Sequence, residues 1–362
     1  MGEGRYRSLL CLVQVAVPDG EGDVRVEVLD PLDDGLDPRA LGEVLADPAI
    51  EVVMHAARQD VALLRRVWHT EVTGLFDTQV AAGFAGLPAQ AGYENLLREL
   101  LDVRLRKTAS YTRWDARPLS DEQVGYARED VLHLLQLADA LKERLAASGR
   151  LEWALEECRP LEASSDERDA DMAFGRLPRI NGLDPGSRAI AYELVSWREE
   201  LAARQDRPVQ SVLADAPLVE VAKRKPSTTS QLENIRGINP GNLRKRGQDI
   251  LDAVARGRER PPLPYDGERR PPPSSGDAPL VALGEALVRL RASEAGLAYE
   301  LVAARADLQA VVSAVRGGRD EPPVRTLEGW RRELVGWELL ALLRGRLALS
   351  VDAGHNVAVH ET

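Results

Sequence analysis

Hydrophobic residues near the start of the chain are spaced as in β-strands. Residues 8–17 (SLLCLVQVAV) form an almost unbroken apolar run, which predicts a strand buried on both faces. Residues 24–29 alternate between apolar and polar positions, which predicts a strand with one exposed face, and residues 51–54 form a third short apolar run. Between them, residues 37–45 have helical spacing with an aspartate and a proline at the start, as helix N-termini favour.

The pattern changes at Asp60, after which apolar residues recur at helical spacing almost to the end of the chain. Strands followed by helices predict an α/β domain and then all-α domains. Two stretches without a regular apolar period, one highly charged and one rich in proline, predict linkers. The predicted order is an α/β domain at 1–158, a linker at 159–186, a helical domain at 187–260, a proline-rich linker at 261–279 and a helical domain at 280–362.

The charge balance restricts where a polyanion could bind. The 362 residues are 44% hydrophobic and 29% charged, with a net charge of −11, which is typical of a globular protein and unlike a general nucleic-acid coat protein. Residues 217–260 are the exception, with ten Lys or Arg against five Asp or Glu, a net charge of +5. We expect the basic runs of this segment to contact phosphates, the alternative being solvated charges that complement helix dipoles. They are Lys223, Arg224 and Lys225, and Arg244, Lys245 and Arg246.

Cysteine content and hydropathy bear on location. Cys11 and Cys158 do not indicate a disulfide framework, so we expect the reducing environment of the cytoplasm. No stretch approaches the roughly 20 apolar residues of a membrane helix, and the N-terminus has no apolar signal core. The sequence therefore predicts a cytoplasmic protein with no membrane partner, and it indicates no obligate protein partner.

A tyrosine and an aspartate four residues apart stand out in a predicted helix. Tyr126 and Asp130 occur in Tyr-Ala-Arg-Glu-Asp, and this spacing places both side chains on one helix face. A carboxylate one turn from a phenol can bind a divalent metal ion while the phenol positions a water. Ordinary surface pairs have the same spacing, and the pattern alone does not separate the two possibilities.

Two further aspartates follow apolar runs and precede helices. Asp60 lies five residues after His55, and Asp77 lies in Phe-Asp-Thr-Gln. Aspartate is favoured at helix N-caps, so capping is the alternative for Asp60 and the interpretation we prefer for Asp77.

The helix that carries Tyr126 has its own start signal and basic residues before it. Ser120 and Gln123 form a Ser-x-x-Gln capping box. Lys107 and Arg117 are candidates for phosphate contacts, although single surface cations are often only solvated.

The ordered set of motifs resembles the ribonuclease D family over residues 5–145. The set consists of a strand, His55-x4-Asp60, Phe76-Asp-Thr-Gln79, Gly92-Tyr93-x-Asn95-Leu96, Lys107, Trp114-x2-Arg117-Pro-Leu and Tyr126-x3-Asp130-Val. Residues 187–258 contain Leu194-x2-Trp197-Arg-Glu, Asp206-Arg-Pro208, Leu218-x3-Ala-Lys223 and Leu232-x2-Ile-x-Gly237. By these stretches they resemble the HRDC module, a helical domain that ribonuclease D shares with RecQ-type helicases. In the last domain we expect Trp330 and Trp337 to anchor the core.

The resemblance implies a fold, an activity and a set of roles. The fold would be an α/β ribonuclease H-like exonuclease domain, lacking its first strand, followed by all-α HRDC-type helical domains. The activity would be 3′→5′ removal of nucleotides from RNA, with structured RNA such as tRNA precursors as substrate. By resemblance Asp60 and Asp130 bind metal, Tyr126 orients the attacking water, and two divalent ions, Mg²⁺ or Mn²⁺, are the cofactors.

One family motif has no counterpart in the chain. The family's Asp-x-Glu, on the first strand of its sheet, would fall a few residues before Met1. We therefore expect the chain as it stands to be inactive or weakly active, either because the sequence begins after the motif or because the activity has been lost. The alternatives for function are a non-catalytic nucleic-acid-binding HRDC protein and an exonuclease that acts on DNA 3′ ends.

Overall fold

The computed structural model describes residues 4–20, 23–105, 113–265 and 276–362. In these ranges the strands pair in three separate two-stranded sheets. The strands are β1 (Val13–Pro18), β2 (Val24–Leu29), β3 (Val52–Met54), β4 (Leu75–Asp77), β5 (Leu347–Val351) and β6 (Val357–Glu361). β1 and β2 pair antiparallel, β3 and β4 pair parallel, and β5 and β6 form an antiparallel hairpin.

Helices make up most of the remaining structure. Up to residue 162 they are α1 (Arg39–Ala46), α2 (Arg58–Trp68), α3 (Thr78–Phe84), α4 (Tyr93–Leu101), α5 (Asp121–Leu132), α6 (Leu134–Ala147) and α7 (Leu151–Glu162). Between 165 and 260 they are α8 (Ala170–Gly175), α9 (Pro185–Arg204), α10 (Val209–Val212), α11 (Asp215–Arg224), α12 (Thr229–Glu233) and α13 (Pro240–Glu259). The last are α14 (Asp277–Glu294), α15 (Tyr299–Val302), α16 (Arg305–Arg316), α17 (Gly329–Arg331) and α18 (Trp337–Leu343), with a π-helical turn between α17 and α18.

The described residues fall into two compact units. The α/β unit comprises residues 12–105, 118–164 and 276–362, and the helical unit comprises residues 4–11, 113–117 and 165–265. The last helices thus group with the first strands, which differs from the prediction of a separate domain at 280–362.

One continuous hydrophobic core runs through the α/β unit. Phe76 on β4 and Phe84 on α3 are fully buried in the same cluster as side chains of α14, α16 and α18. Trp330 is 1% exposed and meets Phe84 edge-on, with ring centroids 5.0 Å apart. Its indole Nε1 donates a hydrogen bond to Glu157 on α7 over 3.2 Å. The prediction of a core anchor is confirmed for Trp330 and is wrong for Trp337, whose exposed fraction is 59%.

The helical unit is built around α9 and α13, two helices of 20 residues each. Gly257 on α13 allows a close approach, because a Cβ there would lie 2.5 Å from the Cα of Ile190 on α9. Buried apolar side chains of α9, α11, α12 and α13 complete the core.

Three features of the structure differ from the predictions. Residues 8–12 are not in a strand, and β1 is partly exposed instead of buried on both faces. The predicted linker at 159–186 contains the end of α7 and the short helix α8. The last domain is not all-α, because a β-hairpin follows Leu343 where continued helix was predicted.

Candidate active site

Two strand-to-helix junctions lie side by side at the carboxyl ends of β3 and β4. The parallel register places Met54 opposite Asp77, so the residues that follow each strand are neighbours. The Oγ1 of Thr78 donates to the carbonyl of Met54 over 3.1 Å and lies 3.0 Å from Nδ1 of His55. Ala56 has a φ of 56°, a backbone conformation that costs energy for a residue other than glycine.

The Asp77 carboxylate joins the two junctions. Its oxygens accept hydrogen bonds from the backbone N–H groups of Ala56 (3.1 Å) and Ala57 (2.7 Å) after β3. They also accept from Gln79 (2.8 Å) and Val80 (3.2 Å) in the first turn of α3. The prediction that Asp77 caps a helix is confirmed, and the side chain is 1% exposed.

Asp60 is not a helix cap. It lies in the first turn of α2, whose N-cap is Ala57, and no side-chain capping bond is made there. Burial raises the pKa of Asp60, and the nearby Asp77 carboxylate acts in the same direction. Asp60 is nevertheless exposed to solvent. The capping alternative is therefore wrong, and a carboxylate without that structural role remains beside the two junctions.

Tyr126 and Asp130 lie on α5, which begins with the predicted capping box. Gln123 N–H donates to Ser120 Oγ (3.2 Å), and Ser120 N–H donates to Gln123 Oε1 (2.9 Å). Burial raises the pKa of Asp130 to about 6, and Glu129 contributes. The Asp130 carboxylate is the main cause of a raised pKa at Tyr126, as expected for two groups one helical turn apart.

Tyr93, at the start of α4, connects the junctions with α5. Its ring centroid lies 5.7 Å from that of His55, and burial together with the Asp130 carboxylate raises the pKa of its phenol. Among the described residues its buried hydroxyl has no hydrogen-bond partner. The sequence placed His55 and Tyr93 in motifs but gave them no role, because only the fold brings them together.

The oxygen ligands fit a divalent metal ion only in part. Asp60 and Asp130 supply hard carboxylate oxygens, the ligand type that Mg²⁺ and Mn²⁺ prefer. Within the described ranges, no group of three or more His, Cys, Asp or Glu side chains is close enough to hold a metal ion. Mg²⁺ often uses one or two carboxylates together with water and substrate phosphates, so two aspartates are compatible with such a site.

The structure describes only one of the two residues near α5 that were predicted to contact phosphate. Lys107 lies outside the described residues. Arg117, in the helical unit, donates to the backbone carbonyls of Cys11, Trp114 and Ala116 over 2.8–2.9 Å. These bonds give its guanidinium a structural role, and its contact with nucleic acid stays a prediction.

The basic runs of the helical unit contain buried, ion-paired and exposed side chains. Arg246 is 9% exposed and donates to the carbonyls of Ser211 and Val212, so its side chain is part of the packing. Arg224 pairs with Glu220, and Lys225 pairs with Asp184. Lys223, Arg244 and Lys245 are exposed, as is the paired Arg224. In the described part of the chain, no helix is long and apolar enough to span a membrane.

Comparisons with known proteins bear on both units. A family model for 3′–5′ exonucleases matches residues 2–146, and the HRDC domain model matches residues 187–254. Ribonuclease D of Gluconacetobacter diazotrophicus is 37% identical over 357 residues, covering 97% of this chain and 87% of that protein. Ribonuclease D of Acidiphilium cryptum is 35% identical with the same coverage.

A solved structure agrees with these relatives. The crystal structure of Escherichia coli RNase D, described as an exoribonuclease involved in structured RNA processing, superposes with a TM-score of 0.80 at 28% identity. The match covers 94% of this chain and 90% of that one. The predicted combination of an exonuclease fold with an HRDC helical region is confirmed.

Proposed function

The chain belongs to the ribonuclease D family and is a 3′–5′ exoribonuclease, and from that premise we propose which of its residues carry out the hydrolysis. The proposed substrate is the 3′ end of structured RNA, as named for the E. coli relative, with precursors of tRNA as candidates. The proposed location is the cytoplasm, with which the two free cysteines, Cys11 and Cys158, accord.

The observation that carries the assignment is the contrast between three aspartates. The Asp77 carboxylate accepts four hydrogen bonds from backbone N–H groups. The side chain of Asp60 is exposed to solvent and that of Asp130 is half-buried, and partial desolvation raises the pKa of both. Carboxylates held in such surroundings are expected where a cation binds, since the ion compensates the cost of burying charge. Asp60 and Asp130 are therefore the proposed ligands of divalent metal, and two ions are proposed.

When bound, divalent metal ions stabilise the attacking and leaving oxygens of a phosphodiester during in-line displacement. The proposed roles of the protein side chains are to orient the attacking water and to hold the strand-to-helix junctions in place. Tyr126, one turn before Asp130, is the residue proposed to orient the attacking water with its hydroxyl. A phenol is protonated at neutral pH and can donate a hydrogen bond, and the Asp130 carboxylate raises the pKa of Tyr126 further. Asp77 and Thr78 hold the two junctions rigidly beside Asp60.

The test is the shortening of a 5′-labelled RNA with a free 3′ hydroxyl in Mg²⁺ or Mn²⁺. Two proteins are compared: the chain itself, and an extended chain preceded by a strand segment with Asp-x-Glu from a ribonuclease D relative. We expect a ladder of products shortened from the 3′ end, abolished by EDTA, and faster with the extended chain. If both proteins bind RNA and neither shortens it, the non-catalytic binding alternative replaces the proposal.

A further inference from the structure

The two basic runs of the helical unit lie at opposite ends of α13. Arg258, near the C-terminal end of this helix, donates a hydrogen bond to the carbonyl of Lys225. Arg246, near its N-terminal end, bonds to Ser211 and Val212. Arg246 and Arg258 are twelve positions apart on the helix, about 18 Å at 1.5 Å per residue. The two runs belong to one basic segment of the sequence, and the fold holds them apart.

A cavity of about 550 Å³ opens at the N-terminal end of α13, beside the end of α9. Four cationic side chains and one carboxylate line it, which leaves a surplus of positive charge. The lining residues are Leu201, Arg204, Gln205, Arg207, Lys245, Arg246 and Asp249. Arg204 and Arg207 belong to neither of the basic runs that the sequence singled out.

The fixed charge at the back of this cavity is that of Arg246. Its guanidinium donates to the carbonyls of Ser211 and Val212, both over 3.2 Å, and to Oε1 of Gln205 over 3.0 Å. Burial lowers the pKa of Arg246, and the positive charge of Arg207 lowers it further. Like charges held this close repel each other, so an anion in the cavity would be stabilised by both.

The other cations can move toward a ligand. Arg204, Arg207 and Lys245 are exposed, and in the described part of the chain none of them forms an ion pair. Flexible cations around a fixed guanidinium can surround a tetrahedral oxyanion, and guanidinium groups match the geometry of phosphate oxygens.

We propose that the cavity lined by Arg204, Arg207, Lys245 and Arg246 is a phosphate-binding site that holds a phosphodiester of the RNA strand. The proposal rests on the proposed function in one respect, namely that RNA is the substrate. The site recognises a phosphate and reads no base, so it would hold RNA of any sequence.

The test measures binding of a labelled single-stranded RNA to the chain by fluorescence anisotropy at several salt concentrations. Arg207→Gln, Lys245→Gln and the double variant remove exposed charges, and Arg246 is left in place because it is part of the packing. Each lost phosphate contact should make the plot of the logarithm of the association constant against the logarithm of salt concentration less steep by about 0.7. At 0.1 M salt this corresponds to an RNA affinity about fivefold lower. Arg179→Gln, an exposed cation elsewhere in the helical unit, is the matched control and should leave binding unchanged.

Several outcomes decide the proposal. Pocket variants that bind like Arg179→Gln, or a chain that does not bind RNA, would overturn it. If inorganic phosphate or adenosine 5′-monophosphate binds the pocket while RNA affinity is insensitive to the variants, the ligand is a free phosphate and the RNA assignment is wrong. If the cavity variants weaken RNA binding as expected but the protein does not shorten RNA, only the exonuclease function is contradicted. If the protein shortens RNA but the cavity variants bind it with unchanged affinity, only this site is contradicted.

Discussion

At the scale of single residues, the aspartates of the candidate site differ in what surrounds their oxygens. Asp77 is 1% exposed and accepts four backbone hydrogen bonds, which is a structural arrangement. Asp60 and Asp130 make no comparable set of bonds to the backbone, and burial raises the pKa of each. The same residue type therefore stabilises the fold at one position and is available for chemistry at the other two.

Replacing Asp77 by asparagine should destabilise the α/β unit. The new amide nitrogen would face the N–H of Ala57, which now donates to Oδ2 over 2.7 Å, and a buried donor would lose its acceptor. We expect a loss of about 2 kcal/mol in the free energy of unfolding, measured by urea denaturation. Asp47→Asn, in an exposed turn, is the control and should change stability by less than about 0.5 kcal/mol. Equal stability of the two variants would contradict the structural role of Asp77.

The pKa of Asp130 predicts how stability depends on pH when metal is removed with EDTA. The folded value of about 6 lies above the unfolded value of about 3.9, so the protonated group favours the folded state. This contribution is complete below about pH 4 and is lost as pH rises through about 6. Asp130→Asn should therefore gain stability relative to the native chain across that interval, in urea denaturation at each pH. A difference that stays constant with pH would show that the pKa is not raised.

Spacing and motif order named the candidate site residues Asp60, Tyr126 and Asp130, whose roles stay predictions. Local spacing alone left Asp60 as a possible helix cap and Tyr126 with Asp130 as a possible surface pair, and the order of the motifs along the chain gave them their predicted roles. The contact of His55 with Tyr93, at 5.7 Å between ring centroids, joins residues 38 positions apart and has no local signal. The burial of Arg246 was also missed, because a basic run looks the same in sequence whether its members face solvent or pack against a neighbouring loop.

At the scale of secondary-structure elements, the contact of α9 with α13 depends on one glycine. Gly257→Ala would place a Cβ 2.5 Å from the backbone of Ile190 and force the helices apart. We expect a loss of about 1–3 kcal/mol despite the better helix propensity of alanine. Gly247→Ala is the control on the same helix, since its Cβ would make only ordinary van der Waals contacts, with Leu243 at 3.4 Å and Thr229 at 3.8 Å. It should be neutral or stabilise by up to about 1 kcal/mol. Denaturation of both variants in urea gives the comparison, and a stabilised Gly257→Ala would refute it.

Elements with strong local signals were predicted well, and those that depend on partners were not. The start of α5 follows from the Ser120 and Gln123 capping box. The run at 8–17 has the composition of a buried strand, yet β1 begins only at Val13. Among the described residues, β1 pairs with β2 alone. The hairpin from Leu347 was missed because its leucines continue the apolar spacing of α18, while pairing with β6 decides the conformation.

At the scale of the whole molecule, charge is distributed unevenly. The chain has a net charge of −11, but the segment with the cavity at α13 is basic. An acidic protein can thus bind a polyanion through a local surface, which total composition does not reveal.

The shared core of the α/β unit makes its last helices necessary for stability. Trp330→Ala would remove a side chain that packs on Phe84 and Trp153 and is 1% exposed. We expect a loss of about 3–5 kcal/mol. Trp337→Ala, at a position 59% exposed, is the matched control and should cost less than about 0.5 kcal/mol. Differential scanning calorimetry would measure both, and a small effect at Trp330 would contradict a continuous core.

The central claim is that Asp130 takes part in the hydrolysis of RNA from its 3′ end. Its most direct test is the single-turnover rate of 3′ shortening of a 5′-labelled RNA by the extended chain, compared with its Asp130→Asn and Asp121→Asn variants. Asp121 lies exposed in the first turn of the same helix and controls for the loss of a charge. We predict that Asp130→Asn slows trimming at least about a hundredfold while RNA still binds, and that Asp121→Asn changes the rate little. Equal rates for all three proteins would contradict the assignment of the active site.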